Sequence, residues 1–146
     1  MADRLPPLSD EQWLKLNDGV IAEFRANGGK CTGRFEGNPM ILLTTTGAKS
    51  GQERVSPLTI TMDGDRIVLI ASRAGDVRHP AWYHNLVANP DVAVEDGTER
   101  YEAKASVVDE PERSRLLDER VAAMPRFGEY TKLTDRTIPV VVIERG

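Results

Sequence analysis

The sequence predicts a mainly β, α+β protein: a small, mostly antiparallel barrel with helices on its outside. Three observations carry that prediction. Asp63-Gly64 and Asp96-Gly97 each sit between runs of strand-forming residues, a strong short-range hairpin signal. Tyr101, Ala103, Ala105 and Val107 alternate with polar or charged residues, the period of a half-buried strand. Trp13, Leu16, Val20 and Phe24 recur at helical spacing instead, so a helix precedes the β-rich part.

Taken in order, Ser9 and Gln12 form a capping box that opens a helix over about residues 10–26, and Asn27-Gly28-Gly29 ends it. A polar, Gly-rich connection leads to Asn38. Met40–Thr46 is a β-rich run broken by the turn Gly47-Ala48-Lys49-Ser50-Gly51. Arg54–Met62 and Arg66–Ser72 are strands joined across Asp63-Gly64. His79-Pro80 starts a short helix, with proline at the first helical position, and Asn89-Pro90 stops it. Val92–Glu95 and Thr98–Val107 flank the second hairpin turn. Asp109 caps a helix running to about Met124, with Leu117, Val121 and Met124 facing inward. Pro125–Thr134 reads as a loop or single helical turn, and Ile138–Glu144 as a final strand. Residues 1–39 are then a helix and connection packed on a barrel formed by 40–146, one domain in all.

A chain of 146 residues holds one ordinary hydrophobic core and needs no covalent staple. A net charge of −4 argues against a general nucleic-acid binder, which is usually basic. Cys31 is the single cysteine, which excludes a disulfide framework and a Cys-rich zinc site and fits a reducing cytosol. The N-terminal residues lack the apolar core and cleavage pattern of a signal peptide, and no apolar run approaches a membrane span. These features predict a cytoplasmic protein. The lack of long exposed apolar stretches predicts a monomer.

Several chemical readings fail on spacing. Gly28-Gly29-Lys30-Cys31-Thr32 echoes a phosphate loop, but Phe24 stands where its first glycine belongs and Cys31 replaces the hydroxyl residue. Cys31, His79 and His84 match no nucleophilic signature. His79 and His84 lie five apart rather than at i,i+4, so no metal is expected.

Two blocks are informative. Thr44-Thr45-Thr46-Gly47-Ala48-Lys49-Ser50-Gly51, followed by Arg54, is a strand–turn–strand suited to an anion. Glycine lets backbone N–H groups point outward at low steric cost, and Lys49 and Arg54 add charge-assisted hydrogen bonds to a phosphate. Composition alone favours the plainer reading, a solvated hairpin with surface cations. Ile70-Ala71-Ser72-Arg73-Ala74-Gly75 and Pro80-Ala81-Trp82-Tyr83-His84-Asn85-Leu86 form the second block. Small residues at a strand end admit a flat ring, and a helix start carrying Trp-Tyr could wall it; standing alone, Trp82 and Tyr83 read more simply as core.

The order TTTGAKSGQERVSPL, a D-G hairpin, IASRAG, HPAWYHNL and TDRTIPVVVIER resembles the deazaflavin-dependent nitroreductase family of actinobacteria, over about Met40 to Glu144. The resemblance implies a split β-barrel of the FMN-binding-like class holding coenzyme F-420, a deazaflavin. It implies that Lys49, Ser50 and the Ala48 backbone contact the phosphate and tail, reinforced by Arg54. Val55, Ser56, Pro57, Leu58 and Thr59 would run under the ring. Ile70, Ala71, Ser72 and Arg73 would border its reacting face, and Ala81, Trp82, Tyr83, His84 and Asn85 would complete the pocket. Ser72 and Tyr130 are the implied catalytic residues, orienting the acceptor, with Ser72 or water delivering the proton.

This chain departs from the family's prodrug-activating type, which carries three tyrosines in its late loop. Here those positions are Met124, Phe127 and Tyr130, the implied substrate residues. Phe127 lacks the hydroxyl credited with holding a nitro substrate, which predicts weak nitroimidazole reduction with coenzyme binding intact. The resemblance makes a menaquinone-like quinone the leading acceptor, with nitroaromatics or enones incidental. An FMN-dependent split-barrel oxidoreductase and a non-catalytic deazaflavin or lipid carrier are the alternatives. A quinone acceptor raises peripheral membrane contact at the inner face of the cell membrane through the N-terminal helix. Asp10, Glu11, Asp18 and Glu23 outnumber Lys15 and Arg25 there, a poor balance for an anionic surface, so packing over the barrel mouth is the favoured expectation.

Overall fold

The computed structural model describes residues 10–31, 39–71, 81–124 and 138–145. In chain order the elements are α1 (Asp10–Ala26), β1 (Met40–Thr46), β2 (Glu53–Thr59), β3 (Thr61–Asp63), β4 (Arg66–Ile70), α2 (Ala81–Ala88), β5 (Asp91–Asp96), β6 (Glu99–Val107), α3 (Glu112–Ala123) and β7 (Val140–Arg145). The strands form one antiparallel sheet in the order β2-β1-β5-β6-β7-β4-β3.

The strand expected over Arg54–Met62 is divided. The β1–β2 ladder ends with Ile60, whose backbone N–H donates to Pro39 O at 2.9 Å in the same register; beyond it the chain pairs with β4 instead, so β2 pairs with β1 while β3 pairs with β4. The two ends of the sheet order are therefore consecutive in the chain. A sheet whose first and last strands are one bent ribbon must curl, and this is how the barrel forms. Apolar Ile60 is 6% exposed at the corner, so no composition signal marked the break.

Alternation along the strands sorts three apolar clusters. Ile41, Leu43, Leu69, Val94, Val141 and Ile143 point inward, joined by Trp82 and Leu86 of α2. On the outer face of β4 and β7, Val68, Ile70, Val140 and Val142 meet Leu116 of α3. On the outer face of β1, Met40 and Leu42 meet Val20 and Phe24 of α1, with Leu16, Ile21 and Val55 against them. Of the stripe expected on α1, these described side chains are packed as core on the outer face of β1 and β2, not across the barrel mouth. Their apolar surface is spent on the sheet. Ser9 and the Trp13 side chain lie outside the described residues.

The end of α1 is fastened at three points. Arg25 makes a two-pronged ion pair with Glu95, Nε to Oε1 at 3.0 Å and Nη2 to Oε2 at 2.8 Å. Gly29, at φ +99°, accepts a position that other residues rarely adopt, and its N–H donates to Phe24 O at 2.8 Å. It also lies against Gly97, the turn glycine of the β5–β6 hairpin.

Three expectations need correction. α3 starts at Glu112 behind Pro111, and Asp109 is not its cap residue. Instead the Glu110 carboxylate accepts from Ser114 N at 3.0 Å, satisfying a first-turn donor from outside the helix. The buried ridge of α3 is Leu116 and Arg120, one residue before the Leu117–Val121 register expected; Leu117 is half-buried beside it. Val107 is 42% exposed although it continues the alternation of Tyr101, Ala103 and Ala105 and pairs with the buried Val141.

Candidate functional site

β1 and β2 meet at the turn expected to bind an anion. Gly47 N donates to Gln52 O at 2.7 Å and Gly51 N to Gly47 O at 3.0 Å, which closes the loop on itself. Gln52 N donates to Ser50 Oγ at 3.2 Å, so the Ser50 hydroxyl hydrogen stays available. Ala48 N donates to Asn85 Oδ1 at 3.0 Å. The backbone N–H groups of Lys49 and Ser50 find no acceptor among the described residues, and both residues are exposed. Two adjacent backbone donors, a hydroxyl and the Lys49 ammonium on one exposed turn are groups that suit a phosphate.

Register decides what β2 offers. Arg54, Ser56 and Leu58 pair with Thr45, Leu43 and Ile41 and share the inner face. Val55, Pro57 and Thr59 pair with Thr44, Leu42 and Met40 and face α1. Thr59 Oγ1 lies 3.2 Å from Met40 Sδ on that side. A ring lying inside the barrel therefore meets the side chains of Ser56 and Leu58 but not those of Val55, Pro57 and Thr59. β2 ends the sheet order, so its outer edge has no strand partner among the described residues.

The other expected residues divide similarly. Ile70 packs outward against α3, so its side chain does not border the inner face, whereas Ala71 is fully buried in the inner cluster. Trp82 is 8% exposed and belongs to the core. Tyr83 packs against that core and meets His84 edge-on at 5.6 Å between centroids. Ala81 and His84 are exposed, and Asn85 is buried. Met124 caps the end of α3, half-buried, its N–H donating to Arg120 O at 2.7 Å. Ser72, Arg73, Phe127 and Tyr130 lie outside the described residues.

Two residues of the Thr44–Gly51 block, assigned no role of their own from sequence, complete the turn. Thr45, 1% exposed, accepts from Asn85 Nδ2 at 3.2 Å. Gly47 has no room for a side chain: a Cβ would lie 2.5 Å from Ser50 Oγ and 3.2 Å from Gln52 O. The Gly47 requirement could have been suspected from the paired glycines, but the Thr45 bond depends on an asparagine 40 residues away.

A separate groove of ≈ 750 Å³ runs along β1, β5 and β6 beside Glu53, Asp91, Arg100, Tyr101 and Lys104. Its lining contains none of the expected coenzyme residues, and its cations and carboxylates balance. Among the described residues no group of His, Cys, Asp and Glu is arranged for a metal ion, and no helix is long and apolar enough to cross a membrane.

A curled antiparallel barrel with a short helix against its inner face defines a split barrel of the FMN-binding-like class. Solved structures place it there. The chain superposes on a structure described as an F420-H2 dependent reductase (FDR-A) with a TM-score of 0.66 at 41% identity, covering 73% of this chain and 94% of that one. It also superposes on one described as a domain-swapped dimer, with a TM-score of 0.67 at 36% identity over 93% of this chain and 100% of that one. HutZ, a heme storage protein of Vibrio cholerae, shares the fold alone, with a TM-score of 0.57 at 16% identity over 88% of this chain and 89% of that one.

The family profile described as F420H(2)-dependent quinone reductase matches residues 18–145. The F420H(2)-dependent quinone reductase Rv1261c of Mycobacterium tuberculosis is 41% identical over 140 residues, 92% of this chain and 91% of its own. This chain belongs to the F420H(2)-dependent quinone reductase family, enzymes whose coenzyme is F-420.

Proposed function

We propose that this protein passes a hydride from reduced coenzyme F-420 to a quinone, with the coenzyme's phosphate held at the turn Gly47–Gly51. The observation that carries the reading is the pair of exposed residues Lys49 and Ser50, whose backbone N–H groups find no acceptor among the described residues, beside the Ser50 hydroxyl. Lys49 and Arg54 supply charge, and the backbone pair supplies direction. Ser56 and Leu58 border the ring from β2 and Tyr83 borders it from α2, while Val55, Pro57 and Thr59 contribute backbone only. Bound there, the coenzyme supplies hydride chemistry, its ring carbon favouring two-electron over radical steps. Ser72 and Tyr130 orient the acceptor carbonyl, and Ser72 or water delivers the proton. Met124, Phe127 and Tyr130 shape the acceptor pocket. These last assignments rest on the family resemblance.

The name of the mycobacterial relative supports a quinone as acceptor class, and a menaquinone-like ring is the specific choice. The domain-swapped dimer of the 36%-identical structure supports self-association of this chain, against the monomer expected from its sequence. Sedimentation across a concentration series decides between them.

The site reading is tested by titrating the protein with oxidised coenzyme F-420 and, in parallel, with FMN, following fluorescence quenching. Tight F-420 binding with little FMN binding is expected. Tight FMN binding alone overturns the coenzyme assignment. Oxidation of reduced F-420 on addition of a naphthoquinone then tests the acceptor, and no turnover across a quinone panel despite tight binding points to a carrier.

A further inference from the structure

Asn85 sits on α2 at 9% exposure, with both ends of its carboxamide engaged. A backbone N–H can only donate, so the Asn85 atom 3.0 Å from Ala48 N is Oδ1. That orientation turns Nδ2 toward Thr45 Oγ1, 3.2 Å away on the inner face of β1. One side chain thus grips the last inward hydroxyl of β1 and the second residue of the turn that follows.

We propose that Asn85 is a positioning residue for the phosphate turn rather than a contact for the coenzyme ring. The inference rests on the coenzyme reading above. The bonds from Gly47 N to Gln52 O and from Gly51 N to Gly47 O already close the hairpin loop. They fix its shape but not its angle to the barrel. Asn85 fixes that angle. By holding the Ala48 N–H inward, it leaves the next two N–H groups, those of Lys49 and Ser50, facing out. Because α2 also borders the ring, the same helix sets the separation between ring site and phosphate site.

The distinguishing measurement uses two ligands that share a ring. Wild type and Asn85→Ala are titrated by fluorescence with coenzyme F-420 and with 8-hydroxy-5-deazariboflavin, which has the ring and ribityl chain but no phosphate or tail. Thermal melts are recorded without ligand. Asn85→Ala is expected to bind F-420 about tenfold more weakly, one hydrogen bond's worth, and to bind the deazariboflavin as wild type does. Equal losses on both ligands would show that Asn85 touches the ring and overturn the proposal, as would no loss on either. If wild type itself fails to prefer the phosphorylated ligand, the site reading falls instead. Thr45→Val guards against misfolding, since it is nearly isosteric and removes just the acceptor that orients Nδ2. It should show the same selective loss in smaller degree, and wild-type binding of both ligands by a folded Thr45→Val would overturn the proposal.

Discussion

The backbones of Gly29 and Gly97 touch: a Cβ added to Gly29 would lie 2.9 Å from the Gly97 Cα. Both glycines have positive φ, +99° and +62°. The contact joins the end of α1 to the β5–β6 turn, and neither side can retreat without breaking its own turn. Gly29→Ala should therefore cost about 1–3 kcal/mol, the strain of a side chain in a left-handed conformation with a backbone clash added. Gly19 is the control. It lies inside α1 with nothing within 4 Å of a new Cβ, so Gly19→Ala should stabilise by about 0.5–1 kcal/mol. Denaturant unfolding of the two variants measures both.

The neighbouring ion pair gives the protein an acid sensitivity of known sign. The Arg25 guanidinium, hydrogen-bonded to Glu95, holds that carboxyl below its ordinary value of 4.5. The unfolded chain thus takes up this proton first as pH falls, and the pair's stabilisation, complete above about pH 5, is lost through the lowered folded value. Arg25 is half-exposed, which limits the gain to below about 1 kcal/mol. Arg25→Ala should lower stability at neutral pH and converge with wild type in acid. Stability curves that stay parallel to the lowest pH would assign the loss to something else.

At the turn, a methyl group at Gly47 must displace the Ser50 hydroxyl from Gln52 N and press on Gln52 O. Gly47→Ala should weaken F-420 binding by about tenfold, because the Ser50 donors move. Gly47 itself is buried while residues 48–51 are exposed, so the loss should fall mainly on the turn, with a modest drop in melting temperature. A large drop in melting temperature with unchanged affinity would refute this.

Arg120 is 1% exposed, and burial pulls its pKa down to about 10, which still leaves it charged at neutral pH. Its Nη2 donates to Val68 O at 2.7 Å and its Nε to Thr61 Oγ1 at 3.2 Å, tying α3 to β4 and β3. Arg120→Met keeps the length of the chain but strips both bonds. Relief of the buried charge offsets part of the loss, so about 1–3 kcal/mol of destabilisation is expected. Arg120→Ala, which also opens a cavity, should cost more. Chemical denaturation ranks the two.

On the proposed assignment, in which Phe127 lines the acceptor pocket and Ser72 serves the acceptor, two variants distinguish acceptor from coenzyme. Phe127→Tyr returns a hydroxyl to the acceptor pocket and should raise reduction of a bicyclic nitroimidazole by about tenfold or more without altering F-420 affinity. Ser72→Ala should lower kcat/KM for a quinone while leaving that affinity nearly intact. Loss of coenzyme binding in Ser72→Ala would merge the two roles.

The local elements were legible where periodicity was unbroken. α1 spans Asp10–Ala26 and β1 Met40–Thr46, as the spacing of their apolar residues indicated. Ile60 hid the strand break because a β-branched apolar residue suits a strand and a buried corner equally. The register of α3 slipped by one because its inward ridge includes Arg120, and a charged residue reads as solvent-facing until Val68 O and Thr61 are seen beside it. At the site, the turn was visible in its glycines, lysine and serine. The division of β2 into an inner and an α1-facing set was not, since the pattern Arg54–Thr59 has no clean alternation to reveal which face is which. The brace from Asn85 spans 37 residues, so no local pattern could contain it.

β7 lies between β6 and β4, although it is the last strand in the chain. Before it docks, β2-β1-β5-β6 and β4-β3 are separate ribbons, hydrogen-bonded within themselves but not to each other. The hairpins β1–β2, β3–β4 and β5–β6 join near neighbours in sequence and can assemble early, whereas β1 meets β5 across some fifty residues. The union of the two ribbons waits on Val140–Arg145, whose partners in β4 lie some seventy residues upstream. Joining the ribbons is therefore the most non-local pairing in the sheet, and the interior they enclose closes only with the final strand.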